Sequence, residues 1–307
     1  MAWSKSRSRT RRYSYRKKRG TWSRSTRTNR SKYSRRPAAR TRRTMSTRAL
    51  LNKVSRKKRD TMIPVNKPGS GATAGVGGTI IQGGITTPTC FIWCATARDN
   101  TLTSGGNGGS VFQPATRTAT TCYMRGLSEN IELVTSSGVA WQWRRICFTF
   151  RNTGLLLPGV TPFIESSSGF GRLVYNLTSG SAIDNAALAA LYGFLFKGVA
   201  SVDWLNQLTA PIDTARVDLK YDRTIIIRSG NANGILKKVS LFHGMNKNLV
   251  YDDDEQAGGE NSSYFSVNDK RGMGDYFVVD LFLPGLGSTT TDQLGYAPQA
   301  TLYWHEK

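Results

Sequence analysis

The charge of this chain is segregated, and that divides it before any hydrophobic pattern is read. Residues 1–59 hold 24 of the 43 Lys and Arg residues and none of the 20 Asp and Glu residues. The other 248 residues carry 19 basic and 20 acidic side chains, so the formal net charge of +23 belongs to the tail. Like charges at this density repel one another. From the Leu, Ile, Val and Phe set the tail offers only Leu50, Leu51 and Val54. Such a stretch buries too little apolar surface to offset its chain entropy, and is expected as an extended, disordered arm that meets a polyanion. The body that follows is near neutral and long enough to enclose a sizeable core.

The basic side chains expected to bind DNA are Arg7, Arg9, Arg11, Arg12, Arg16, Lys17, Lys18, Arg19, Arg24, Arg27, Arg30, Arg35, Arg36, Arg40, Arg42 and Arg43. Tyr13, Tyr15 and Trp22 are interleaved with them. Guanidinium groups that track phosphates, alternating with rings that stack on unpaired bases, suit single-stranded nucleic acid. Arg-Lys-Lys-Arg occurs twice, as Arg16, Lys17, Lys18, Arg19 and as Arg56, Lys57, Lys58, Arg59. Each is a candidate nuclear-import signal, since acidic receptor grooves take such clusters. Ser46–Val54 is the one piece of the arm expected to become helical when bound.

Composition changes after Arg59. Pro64, Pro68 and the glycine-rich run 69–78 predict a flexible linker over residues 60–88, ahead of a domain spanning 89–307. A phosphate-binding loop is excluded there, because no Gly-Lys-Ser/Thr follows and no helical pattern begins. The domain reads as strands at 89–97, 121–134, 141–151, 216–228, 238–243, 275–283 and 300–306, with all but one of the chain's 31 glycines in the body and clustered between strands. In Trp141–Arg151 the aromatic parity switches, which predicts either a bulge near Arg144 and Arg145 or cover on both faces. Tyr276–Leu283 is apolar on both faces and is expected to be central. Only Ser181–Gly193 argues for a helix, opened by Ser181 with Asp184 at the capping-box position. Spaced strands, long loops and one short helix predict an all-β chain, a single eight-stranded jelly-roll sandwich or barrel.

Four cysteines, Cys90, Cys94, Cys122 and Cys147, are expected as buried thiols, since two on one strand four residues apart lie about 13 Å from each other. With two histidines, His243 and His305, in unrelated segments, neither a zinc site nor a histidine-based catalytic constellation is expected. No nucleophile elbow, Walker loop or His-x-His pair is present, so an enzyme is not expected, nor a cofactor. The acidic run Asp252, Asp253, Asp254, Glu255 is the one candidate cation site, although its spacing matches no calcium loop. A solvated loop, or contact with a basic partner, is the alternative. No apolar run is long enough for a membrane span, so no membrane partner is expected. Arg125, Arg144 and Arg145 are the body's candidates for a nucleic-acid-facing surface.

Several segments in order carry a resemblance: RKKRDTM at 56–62, YMRGLSE at 123–129, WQWRRICF at 141–148, Phe196-Lys197-Gly198, Asp203-Trp204, Ser229-Gly230-Asn231, YDDDE at 251–255 and GMGD at 272–275. Together they resemble the capsid proteins of genomoviruses, the gemycircularvirus-like group of small circular single-stranded DNA viruses related to geminiviruses. The resemblance implies a homo-oligomeric icosahedral shell of about 60 copies around a single-stranded DNA genome. It also implies contact with host nuclear-import receptors, and residence in the virion and, during assembly, in the host nucleus. A nuclear shuttle or movement-type protein that binds single-stranded DNA without forming a shell is the alternative.

Overall fold

The computed structural model describes residues 45–103 and 106–307. Eight strands form its framework: β1 (Arg56–Met62), β2 (Thr89–Cys94), β3 (Thr121–Thr135), β4 (Trp141–Phe150), β5 (Asp218–Ile227), β6 (Leu236–Val250), β7 (Asp275–Pro284) and β8 (Gln293–Glu306). They divide into two antiparallel sheets, one ordered β1-β8-β3-β6 and the other β5-β4-β7-β2. Chain order wound in this way, with successive strands crossing between two facing sheets, is the double Greek key of a jelly roll. Beyond β2 the second sheet is extended by Gly169–Asn176, Pro64–Lys67 and Gly75–Val76, so that edge is covered. The edges at β5 and β6 carry no further strand among the described residues.

The central position of β7 follows from its sequence. Its side chains are buried on both faces, and it pairs with β4 on one side and β2 on the other. Strand β4 is likewise covered on both faces, and its register with β7 runs without interruption past Arg144 and Arg145. The parity switch therefore reflects double cover and not a bulge at that point. The irregularity lies on the partner strand, between Leu219 and Tyr221.

The helix Ala182–Leu195 begins as its sequence predicts, with the Ser181 hydroxyl accepting from the Asp184 amide at 3.1 Å. The Asp184 carboxylate does not turn back to the cap as in a capping box. It is fully buried and accepts from the Ser70 amide at 2.8 Å, the Tyr175 hydroxyl at 2.8 Å and Ser179. These bonds tie the glycine-rich run to the helix start. A Cβ at Gly69 would lie 2.3 Å from that of Ser179, which is why a glycine stands there. The segment expected as a linker over 60–88 thus carries the end of β1, the strands Pro64–Lys67, Gly75–Val76 and Thr79–Gln82, and this docked turn. Thr47–Val54 is helical, with Leu50, Leu51 and Val54 exposed.

The core is split in two. One apolar cluster gathers Trp93, Leu127, Phe148, Phe277 and Leu302; a second gathers Phe91, Ile131, Trp141, Trp143, Phe282 and Leu294. All four cysteines are free and buried, and loss of solvation pushes the Cys90 and Cys147 thiols up to about 12. They are packing groups, not nucleophiles.

Candidate nucleic-acid interface

The arm residues expected to hold DNA, from Arg7 to Arg43 with Tyr13, Tyr15 and Trp22, lie outside the described residues, as does the import cluster Arg16–Arg19. The second cluster is described, and it lies in a strand rather than in a free tail. Arg56, Lys57, Lys58 and Arg59 are the first four residues of β1, paired along the end of β8. Lys58 points inward and is 3% exposed; its Nζ donates to the Thr116 carbonyl at 2.6 Å and lies 3.1 Å from the Glu306 carboxylate. Burial alone would raise Glu306, but donation from Thr118 and Trp304 and the Lys58 ammonium hold it below the usual range.

Arg144 and Arg145 also sit elsewhere than expected. Neither lies on a surface, because adjacent residues on a doubly covered strand both point into protein. Arg144 forms a fork with Asp222, at 2.9 and 2.7 Å, and donates to the Gln207 and Ala210 carbonyls. Arg145 is 1% exposed and bridges the two sheets. It reaches Asp280 on β7 through two bonds of 2.7 and 2.8 Å, Glu129 on β3 at 2.6 Å and the Tyr296 hydroxyl on β8 at 2.9 Å. Arg172 joins the same group through Glu129 at 3.1 Å and Asp280 at 3.3 Å. Two guanidinium groups and two carboxylates balance in charge between the two apolar clusters. Burial works to raise the Asp280 carboxyl, yet Arg145 and Arg172 hold it down at about 2. His243, 3.7 Å from Glu129, is pushed down by burial and stays neutral at neutral pH. Such an assembly fixes sheet-to-sheet geometry; it is not a place for a ligand.

The acidic run is divided by its own fold. Asp253 turns inward to a fork with Arg117, at 2.5 and 2.9 Å, and the Arg117 guanidinium lies 4.0 Å from the Tyr251 ring centre. Asp252, Asp254 and Glu255 stand in solvent beside the hairpin Asp254–Gln256/Gly259–Asn261. Among the described residues no group of His, Cys, Asp and Glu is arranged to hold a metal ion. No described helix is long and apolar enough to cross a membrane.

Of the three candidate arginines Arg125, Arg144 and Arg145, Arg125 alone is on the outside, on the exposed face of the β1-β8-β3-β6 sheet. Between Tyr303 and Trp304 the register of β8 on β3 shifts by one residue, and Arg125 is the residue left over. The bulge turns its side chain out, where it donates to Asn246. Gly126 makes the bulge possible: its φ is 156°, and a Cβ there would meet the His243 carbonyl oxygen at 2.6 Å. The same register brings to Arg125 three rings that sequence reasoning assigned to no binding site, Tyr123, Tyr303 and His305, beside Lys57 and Arg59 of the basic cluster. Lys57 pairs with His305, His305 with Tyr123, and Arg59 with Tyr303. The alternations Tyr123-x-Arg125 and Tyr303-x-His305 were the available signals, since every second strand residue shares a face.

No family model and no curated protein matches the chain. Among solved structures, an unassembled pentamer of Washington University polyomavirus VP1, in a mutant form, aligns over 83% of this chain and 95% of that chain. The identity is 8% and the TM-score 0.11, a likeness that carries no argument. The jelly roll rests on the strand order itself.

Proposed function

We propose that this chain is the shell protein of a small single-stranded DNA virus, of the kind its motifs resemble. The observation that carries the reading is the union of a near-neutral jelly roll with a tail that holds the whole net charge of +23. Bodies associate through loops and sheet edges into a closed homo-oligomer, and arms neutralise phosphates within it. That electrostatic contribution is independent of sequence, as packing a whole genome requires. With Arg56–Arg59 in β1, 20 basic side chains precede the fold, and a shell of about 60 copies would bring roughly 1,200 arm charges, enough to balance on the order of a thousand phosphates. Import before assembly falls to Arg16–Arg19 and the rest of the arm, since Arg56–Arg59 is built into a strand. The body acts as scaffold and carries no catalytic role.

Electron microscopy of purified full-length protein, with extraction of its nucleic acid, tests this directly. Closed shells holding nuclease-protected single-stranded DNA are expected. Soluble protein that binds single strands but never closes into shells would return the chain to the shuttle class.

A further inference from the structure

The exposed face of the β1-β8-β3-β6 sheet is unlike an ordinary solvated face at the end where β1 begins. Lys58, Met62, Met124, Leu127, Leu302 and Trp304 are buried, so the alternate residues Lys57, Arg59, Tyr123, Tyr303 and His305 face out. The bulge adds Arg125. Lys57, His305 and Tyr123 are successive partners across three strands, and the Tyr123 and His305 rings lie 6.0 Å apart. Burial first, then the charges of Lys57 and Arg125, push the His305 imidazole down, so it offers a neutral ring. Among the described residues no carboxylate is within ion-pair distance of Lys57, Arg59 or Arg125. The acid on this face, Glu132, stands toward the far end of β3 and pairs with Lys238 at 3.7 Å.

We propose that this end of the sheet is a second binding surface for single-stranded nucleic acid, distinct from the arm. Tyr123, Tyr303 and His305 stack on unpaired bases, while Lys57, Arg59 and Arg125 hold the phosphates between them. The inference rests on the reading of the chain as a single-strand-binding shell protein and adds the part of the body that grips the strand. Three observations favour this occupant. Arg59 and Arg125 have no carboxylate partner among the described residues, and Lys57 is held only by the Asn52 and Ser55 carbonyls, so the face carries positive charge that suits a polyanion. Its rings are spaced for separated bases: Tyr303 and His305, two residues apart on one strand, are about 6.8 Å apart along it, twice the 3.4 Å step of a stacked duplex strand. A paired duplex also hides its base faces. Finally, β1 is continuous in sequence with the basic tail, so a strand held by the arm is already tethered near this face.

The test uses the full-length chain with a thymidine oligonucleotide carrying 5-bromodeoxyuridine, photo-cross-linked at raised salt to suppress the arm's electrostatic share. Cross-linked peptides are expected to include those holding Tyr123 and Tyr303. The double substitution Tyr123→Ala/Tyr303→Ala should lower single-strand affinity about tenfold and leave duplex affinity unchanged. Its salt dependence should stay as in the parent, because the rings carry no charge. Tyr123→Phe/Tyr303→Phe should keep the parent's affinity, which separates lost stacking from lost folding. Lys57→Gln/Arg59→Gln/Arg125→Gln should flatten the slope of log affinity against log salt by about 2. Cross-links confined to residues 1–44, with parental affinity in the alanine variant, would overturn the inference and leave the arm-binding reading standing. Protection of Tyr123 and Tyr303 in DNA-free oligomers would also overturn it, marking the face as an interface between copies. If the full chain binds no single strand at all, the broader function fails with it.

Discussion

Arg125 and Arg145 are the same residue type, twenty positions apart on successive strands, and they have opposite fates. Arg145 lies between the sheets with every nitrogen of its head engaged by Asp280, Glu129 or Tyr296. Arg125 is expelled by a bulge onto an open sheet face where it meets only the amide of Asn246. The difference lies in what faces them. Inward positions of β3 and β7 bring Glu129 and Asp280 to Arg145, while the outward neighbours of Arg125 are rings and other cations. In a chain this basic, the arginines that have carboxylates build the fold, and those without are free to meet a polyanion.

The tail is the extreme of the second kind, and it sets the largest effect. If about 12 of the 20 tail charges that precede β1 engage a single strand at once, log affinity should fall against log salt with slope about −8. Between 50 and 200 mM salt that is a loss on the order of 10⁵ in affinity, readable by fluorescence anisotropy with purified full-length protein. A slope near −1 would remove the distinction between tail and body. Within the body the order reverses: Arg145→Met should cost about 3–5 kcal/mol of stability by stranding Glu129 and Asp280 without their partner. Arg125→Met should stay within about 0.5 kcal/mol. Chemical denaturation of both variants measures the contrast, and equal losses would end it.

The interior group also has a pH signature whose sign is fixed. Asp280 is held at about 2 in the folded state, below the ordinary 3.8 of the unfolded chain. Its contribution is therefore fully present above about pH 4 and is lost as pH falls through 2. That depression corresponds to roughly 2 kcal/mol of folding free energy. Thermal unfolding at pH 5 and at pH 2.5 should show this loss in the parent. It should be smaller in Arg145→Met, where the cation that depresses Asp280 is gone.

How much of this was legible in the sequence depends on the range of the interaction. Double cover of β4 and β7, the helix start at Ser181 and the buried thiols all follow from residues within one segment. The first strand did not: RKKRDTM reads as a continuation of the tail, because its inward positions include Lys58 and Asp60. Those positions are tolerated only through Glu306 at the far end of the chain and Arg98. Arg144 and Arg145 read as a surface pair for the same reason. The carboxylates that neutralise Arg145 stand 16 and 135 residues away and meet it only through sheet register. The outward face was half legible. Each Tyr-x-basic alternation is local, whereas their juxtaposition needs the register of three strands and one bulge.

The smallest expected effect probes where the division by partners stops working. Lys238 and Glu132 form an ion pair at 3.7 Å on the same sheet face as Arg125, but the Lys238 side chain is largely exposed and that of Glu132 nearly half exposed. Water and salt screen such a pair, and holding two long side chains together costs entropy that offsets most of the attraction. Glu132→Gln should therefore change stability by less than about 0.5 kcal/mol, against several for the interior pairs. Yet it should strengthen single-strand binding slightly, by releasing a cation at the far end of the sheet face. A paired change of this kind, stability unmoved and affinity raised at low salt, separates carboxylates that shape the fold from one that only trims the charge of a surface. If Glu132→Gln destabilised the protein as Arg145→Met does, burial would not be what ranks these pairs.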